Sequence, residues 1–376
     1  MRAFSTKVLM KIIAIGTATP KHVATMEDRF QISQKMYRGS EKERRVLPKL
    51  YEKSRVQQRH SCILGSSSGD LMERQSLYES VEEQPDYLGP DTLKRMQAYQ
   101  EHATPLAVNA CQQAFEMANL NPNRITDLVT VSCSGFHAPG FDLDLIEQLP
   151  LKRSTSRTHV GFMGCHGGLN GLRTAAAYTN SNPDSAVLLC ATELCTLHYQ
   201  YEGGADQIVA NALFADGAMA VIGLPDSSNH APQTGWRVAA STSYVIPDSV
   251  EMMSWSIGNQ GFEMTLSSAL PQLIYDHIKP WLSQWLATHD LSIEEIRGWA
   301  VHPGGPRILA AFQEAVELPA DALRHSYDIL QNYGNMSSAT VFFILQQMMQ
   351  DENHLPCLVL GFGPGITVEA ALLLPI

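Results

Sequence analysis

The stretch His159-Val-Gly-Phe-Met-Gly-Cys165-His-Gly-Gly-Leu-Asn-Gly-Leu-Arg-Thr-Ala-Ala-Ala-Tyr-Thr-Asn180 decides how the rest of the chain is understood. It sets Cys165 among glycines at the first turn of a small-residue helix over 165–178. Glycines on both sides let backbone and substrate come close to the sulfur. A helix N-terminus favours negative charge, so the placement predicts a lowered thiol pKa and a raised thiolate fraction. Those are a nucleophile's requirements; the alternative is an inert cysteine used as a small hydrophobe.

Composition narrows the setting. The 376 residues carry a net charge of −11, with 44% hydrophobic and 17% charged residues. That is enough chain for two cores or one duplicated core. The acidic balance argues against nucleic acid held through phosphates and against docking on anionic lipid. It leaves room for a local basic mouth that takes a phosphorylated substrate. The seven cysteines, at 62, 111, 133, 165, 190, 195 and 357, are odd in number and form no Cys-x-x-Cys pair. Neither a disulfide framework nor a metal site is expected, and free thiols point to a reducing, cytoplasmic setting. The apolar run from Val8 to Gly16, broken by Lys11, reads as a buried strand rather than a signal peptide. No stretch approaches the ~18 consecutive apolar residues of a membrane span.

Taken in order, the chain repeats itself. A strand at Lys11–Gly16 precedes a polar, charge-rich segment from His22 to Tyr99. From there the pattern predicts a helix over 106–120, a strand over 127–132 ending in Cys133-Ser134-Gly135, and the cysteine helix. A strand at 186–190 and a hairpin-like stretch at 213–222 follow. A polar linker over 225–235 closes the first half. The programme then runs again: strand 236–242, helix 270–289, strand 299–302, helix 335–350, and strands 357–360 and 367–373. The expected fold class is therefore α/β, with two similar halves, 1–224 and 236–376. If the halves pack about a pseudo-twofold axis, Cys165 and Asn335 start equivalent helices and meet near that axis. His302, at the end of a second-half strand, should face the same point.

A cysteine, a histidine and an asparagine suit two chemistries. In a papain-like hydrolase the histidine is the base and the asparagine orients it. In a condensing enzyme the cysteine takes an acyl group from a thioester, and the other two donate hydrogen bonds to a second, decarboxylating thioester. Local sequence favours condensation. In Val301-His-Pro-Gly-Gly-Pro306, Pro303 removes an amide donor and the glycines leave room beside the ring for a bulky acyl group. No further carboxylate stands out as a general base, and decarboxylation needs only stabilisation of the enolate oxygen. Phe214, beside an apolar strand, supplies a dry wall that disfavours a carboxylate over neutral CO₂.

These residues resemble those of the type III polyketide synthases, the chalcone-synthase-like branch of the thiolase superfamily. The resemblance runs from Lys11 onward. It is carried by Gly164-Cys165, Asn211-Ala-Leu-Phe-Ala-Asp-Gly217, Val301-His-Pro-Gly-Gly-Pro306, Tyr333-Gly-Asn-Met-Ser-Ser-Ala339 and Gly361-Phe-Gly-Pro-Gly-Ile366. The last of these separates the family from ketoacyl-ACP synthases and hydroxymethylglutaryl-CoA synthases. The resemblance implies a thiolase-like αβαβα layered fold and an acyltransferase that extends an acyl-CoA starter with malonyl-CoA and cyclises the product. It implies that Cys165 holds the chain and that His302 and Asn335 bind the malonyl thioester oxygen. His302 would also keep Cys165 as a thiolate, and Phe214 would gate the cavity. Gly361 to Gly365, including Phe362 and Pro364, would form its wall. Lys53, Arg55 and Arg59, in the basic run Pro48-Lys-Leu-Tyr-Glu-Lys-Ser-Arg-Val-Gln-Gln-Arg59, fall where the family binds CoA phosphates. Gly304 and Arg307 belong to the same substrate-binding set. Homodimers that need no cofactor beyond CoA-thioester substrates are also implied.

The departures concern the cavity. The plant enzymes have threonine at the positions of Cys133, Cys195 and His198. They have methionine at Ala138, glycine at Trp255 and phenylalanine at Met264. The stretch Met253-Ser-Trp-Ser-Ile-Gly-Asn-Gln-Gly-Phe262 is similar to bacterial members. A pyrone, a resorcinol or a related phenolic is expected rather than chalcone. Two rival readings are an initiating ketoacyl-ACP synthase and a catalytically silent acyl-CoA-binding relative.

Overall fold

The computed structural model describes residues 9–81, 86–228 and 235–376. Residues 229–234 of the expected linker lie outside the described residues. The strands of the first half are β1 (Met10–Ala18), β2 (Val23–Thr25), β3 (Gln58–His60), β4 (Asp127–Ser132), β5 (Ser156–Gly161), β6 (Val187–Leu194) and β7 (Asp216–Pro225). Those of the second are β8 (Trp236–Val245), β9 (Met253–Gly258), β10 (Gly261–Leu266), β11 (Gly298–Val301), β12 (Cys357–Gly363) and β13 (Thr367–Pro375).

Alternate and continuous apolar runs in these segments favour strands buried on both faces, and β6, β7 and β12 are buried along their whole length. Hydrogen bonding joins the larger strands in the order β11-β12-β13-β8-β1-β7-β6-β4-β5. Read outward from the middle, each half follows one rule. The inner strand (β1 or β8) pairs antiparallel with the second (β7 or β13). The second pairs antiparallel with the third (β6 or β12). The third pairs parallel with the fourth (β4 or β11). The halves meet where β1 and β8 run antiparallel, from Met10 opposite Val238 to Ile12 opposite Trp236. An antiparallel join between equivalent strands is what a twofold relation requires.

Side-chain packing divides the molecule into layers. The helix Thr92–Ala118 covers the outer face of β1, β6 and β7 with Ala103, Ala107, Ala110 and Ala114. The helices Gly167–Ser181 and Thr340–Met348 lie in the middle core. There Leu169, Leu172, Phe342 and Leu345 pack with Val129 and Leu189 of the first half and Ala300 and Val359 of the second. The helices Leu270–Ala287 and Pro306–Val316 cover the outer face of the second half. The result is the α-β-α-β-α layering expected of a thiolase-like fold.

Three local expectations change. The helix foreseen over 106–120 begins much earlier, with Asp91 Oδ1 accepting the Lys94 amide at 2.8 Å. Its first turns carry polar residues such as Lys94, Gln97 and Glu101, which hide helical periodicity. There is no hairpin at 213–222. Ala205–Leu213 is a helix, Phe214 is extended, and β7 starts at Asp216. The helix foreseen from Asn335 begins at Thr340, after a single turn at Ser337–Ala339. Asn335 is held in a bridge to Phe214, which an α-helical residue could not make. Among the described residues no helix is long and apolar enough to cross a membrane.

One glycine shows how tightly the outer layer is seated. A Cβ on Gly16 of β1 would lie 2.1 Å from the Ala110 carbonyl oxygen and 2.5 Å from the Ala114 amide, both helix backbone. Gly16→Val is expected to lower stability by about 1–3 kcal/mol through overpacking. The check is thermal unfolding; an unchanged midpoint would mean that the helix does not press on the strand there.

Candidate active site

The ends of strands from both halves converge on one chamber. Cys133 and Ser134 follow β4, Cys195 follows β6, and Gly164 and Cys165 precede the helix Gly167–Ser181. The second half contributes Ser337 and Pro364, with Met253, Trp255 and Met264 from β9 and β10. Phe214 closes one side of the chamber. Its surface is almost wholly apolar, so a charge inside it is poorly solvated.

Cys165 sits just before the helix, with His166 at the cap position. Its half-turn entry uses Gly164 at φ +78, a conformation that glycine adopts without strain. The thiol is not lowered as the helix end alone suggests. Burial pushes it up to about 11, and the buried carboxyl of Glu193 acts in the same direction. Ser337 and Asn335 oppose that shift. The helix end is worth at most ~2 kcal/mol, and loss of solvation outweighs it.

His302 follows β11 and is completely buried. Its amide donates to the Leu360 carbonyl at 2.8 Å, which anchors the backbone to β12. Neither ring nitrogen has a hydrogen-bond partner among the described residues. Burial, and to a lesser degree the charge of His166, lowers its pKa to about 3. The ring is therefore neutral across the physiological range. No hydrogen bond joins it to Cys165, so the expected imidazolium–thiolate pair is absent from this resting state.

Asn335 is placed by backbone. Its N–H donates to Leu213 O and its carbonyl accepts from Ala215 N–H, both at 2.9 Å, bracketing Phe214. Its side-chain Oδ1 accepts from the Ser337 amide at 2.8 Å. The amide NH₂ is left as a donor toward the thiol.

The walls are pinned by the residues that depart from the plant pattern. The Trp255 indole N–H donates to the Cys133 carbonyl at 2.8 Å. Its ring lies 5.8 Å from Phe214 and 5.5 Å from His198. His198 Nδ1 accepts the Phe262 amide at 3.0 Å, so Nε2 carries the proton that it gives to the Ser134 carbonyl at 2.6 Å. The ring stacks on Phe262 at 4.1 Å, and burial takes its pKa down to about 3. Trp255, Cys195 and Phe214 also line a second chamber, where His198 and Arg59 are found. Trp255 is thus a partition between two spaces.

Several expected residues take other places. Arg59 is buried, and its guanidinium donates to the carbonyls of Asn211 (2.8 Å) and Phe214 (2.5 Å). It cannot also reach a phosphate at the surface. Phe362 turns away from the chamber and packs against Phe312 in the second-half core. Gly361 faces His166 rather than substrate. Gly304 and the exposed Arg307 lie just past His302, outside both chamber walls. Lys53 and Arg55 are exposed, with Arg55 over the Tyr327 ring.

Sequence reasoning missed Glu193. Fully buried at the end of β6, it accepts from the Cys133 amide at 3.1 and 3.0 Å, from the Ser134 hydroxyl at 2.6 Å, and from the Ser338 hydroxyl. Burial raises its pKa. A glutamate inside an otherwise apolar strand, Val187–Leu194, was the available signal.

Comparison with known proteins agrees with this geometry. Residues 1–226 match the N-terminal domain of chalcone and stilbene synthases, and residues 237–376 match their C-terminal domain. The chain is 31% identical over 369 residues to a 1,3,6,8-tetrahydroxynaphthalene synthase of Streptomyces peucetius, covering 96% of this chain and 92% of that one. It is 29% identical over 368 residues to the α-pyrone synthesis polyketide synthase-like Pks18 of Mycobacterium tuberculosis, covering 96% and 90%. The crystal structure of PKS-I from the brown alga Ectocarpus siliculosus superposes with a TM-score of 0.90 at 28% identity, over 99% of this chain and 100% of that one. The family assignment removes the ketoacyl-ACP synthase and the silent relative from consideration. The chain belongs to the chalcone and stilbene synthase family and is a type III polyketide synthase, an acyltransferase that works by iterative decarboxylative condensation with malonyl-CoA.

Proposed function

We propose that Cys165, His302, Asn335 and Phe214 form the condensing centre. The observations that carry this are an asparagine amide that bears on the Cys165 thiol in an apolar chamber, and a completely buried histidine at the end of β11 with both ring nitrogens unpartnered. An unpaired buried imidazole is costly unless a ligand completes it.

The steps follow from the atoms present. The Cys165 sulfur attacks the starter thioester carbonyl, CoA thiol leaves, and the acyl group stays on Cys165. The sulfur's proton passes to the departing CoA sulfur, with neutral His302 within the site to relay it. Malonyl-CoA then enters with its thioester oxygen toward His302 and the Asn335 amide. Breaking the C–C bond releases CO₂ and leaves its electron pair as an enolate, whose oxygen those two donors stabilise. The enolate carbon attacks the acyl carbonyl on Cys165, and the thiolate leaves, ready to be reloaded. A neutral histidine donates through N–H and so suits this role. A dry wall at Phe214 favours release of neutral CO₂. No metal or redox cofactor enters the electron balance. The substrates are CoA thioesters and the working form is a homodimer; the seven free cysteines support a reducing, cytoplasmic setting.

The partition at Trp255 supports a short, compact product, a pyrone, resorcinol or related phenolic, made from a starter that fits beside the indole. Cys133, Cys195, His198, Met264 and Pro364 complete the cavity surface. At the surface, the exposed cations Lys53, Arg55 and Arg307 are assigned to the CoA phosphates, and Gly304 leaves backbone room beside His302.

Incubation with malonyl-CoA and a panel of acyl-CoAs, without carrier protein, tests the whole reading by product mass. Cys165→Ala is expected to lose covalent acylation in intact mass and to lower condensation by roughly 10³-fold or more; full activity in that variant would remove the nucleophile assignment. Trp255→Gly should join the two chambers and shift products toward more malonyl units, and an unchanged product ladder would show that the indole is not the limit. Lys53→Ala should raise KM for the acyl-CoA roughly fivefold, about 1 kcal/mol, without changing thermal stability. Arg59→Met should do the reverse, costing about 1–3 kcal/mol of stability by stranding two buried carbonyls. A stable Arg59→Met protein with a weakened KM would return Arg59 to the CoA site.

A further inference from the structure

The residue after the nucleophile is a second buried imidazole that the condensation steps do not use. His166 is 2% exposed and sits at the cap of the helix Gly167–Ser181. Its Nδ1–H donates to the Asn170 side-chain oxygen at 2.8 Å, and burial lowers the ring's pKa, so Nε2 of the neutral ring is an acceptor. The Thr367 hydroxyl donates to that Nε2 at 2.6 Å. Thr367 follows the loop that carries Pro364, so this bond ties the nucleophile's neighbour to a segment that lines the chamber.

The two loops also touch directly. A Cβ on Gly164 would lie 2.1 Å from Pro364 Cδ. A Cβ on Gly363 would lie 2.3 Å from His166 Cδ2, and one on Gly361 would lie 3.1 Å from His166 Cβ. Gly361 and Gly363 are thus the seat of His166. Cys165 stands between two contacts to one loop, Gly164 against Pro364 on one side and His166 against Gly361, Gly363 and Thr367 on the other.

We propose that His166 is a positioning residue, which locks the cysteine loop to the Pro364 loop and so sets the chamber wall against which the tethered chain folds. The inference rests on the polyketide-synthase reading of Cys165. It adds a determinant of product outcome that touches neither substrate nor reacting atoms. The Thr367 hydroxyl is the other half of the lock, because it gives the hydrogen bond from that loop to the ring.

Purified full-length variants are assayed with one acyl-CoA and malonyl-CoA, and loading is followed by intact mass. His166→Phe fills the seat without the accepting ring nitrogen, and Thr367→Val keeps the shape without the hydroxyl. Each is expected to load Cys165 with an unchanged KM for the acyl-CoA, to lower kcat severalfold, and to shift the ratio of products. His166→Gln and Thr367→Ser, which keep an acceptor and a hydroxyl, should restore the wild-type ratio. The double variant His166→Phe/Thr367→Val should be no worse than either single one, since both cut one connection. Wild-type kcat and product ratio in both His166→Phe and Thr367→Val would overturn the proposal. So would additive effects in the double variant. Should His166→Phe fail to fold, Thr367→Val against Thr367→Ser decides the matter by the same readouts. Failure of the wild-type chain to be acylated at Cys165 would overturn the underlying reading instead, a result distinct from an acylated enzyme with an unaltered product ratio.

Discussion

Two backbone hydrogen bonds, from Asn335 N–H to Leu213 O and from Ala215 N–H to Asn335 O, hold the site together. They join a residue from each half across the pseudo-twofold, and both lie in the interior, where unpaired backbone groups are costly. Phe214 lies between them and can only present its ring to the chamber. Arg59 secures the same segment by taking up the Phe214 carbonyl. Two residues on, buried Asp216 accepts from Thr196 N–H and its hydroxyl and from Cys62 N–H, fixing the turn that carries Cys195. A single short segment, 211–217, thereby sets gate, amide and cavity wall.

The electrostatic character of the site follows from its dryness. Cys165 is pushed up and His302 down, so both rest in neutral forms. Buried Glu193 is surrounded by donors from Cys133, Ser134 and Ser338 and adds to the effect of burial in raising all three neighbouring thiols, Cys133, Cys165 and Cys195. Such a site gains most from a substrate that brings its own developing charge. A thioester oxygen becoming an enolate meets preorganised N–H donors and little competing water. The same environment makes wall placement matter, because an apolar chamber orients a tethered chain by shape rather than by hydrogen bonds. Trp255, fixed by the Cys133 carbonyl, Phe214, fixed through Asn335 and Arg59, and the Pro364 loop, tied to His166 through Thr367, are walls with traceable anchors.

Much of the fold was legible because the strands carry period and composition together. The runs at 127–132, 357–360 and 367–373 match observed strands, and the order of elements announced two equivalent halves. The start of the helix at Thr92 was not legible, since its exposed first turns are polar. Nor was the extended path at 213–215, because its conformation is imposed by a partner 120 residues away rather than by local propensity. Arg59 shows the same limit at the site. A basic run looks alike in sequence whether its members face solvent or bury against carbonyls.

What the sequence determined by itself was the inventory and its order: a cysteine among glycines, a histidine before Pro-Gly-Gly, an asparagine after Tyr-Gly, and two runs of one α/β programme. These are local properties, carried by residue type and spacing. Only the tertiary structure decided which of them meet and in what state. Burial reversed the thiol shift that the helix end predicts, removed Arg59 from the surface, and turned Phe362 into the core. It also revealed Glu193 and the His166–Thr367 connection. Solvation and long-range contact are set by the packing of distant segments, and no stretch of chain encodes them alone.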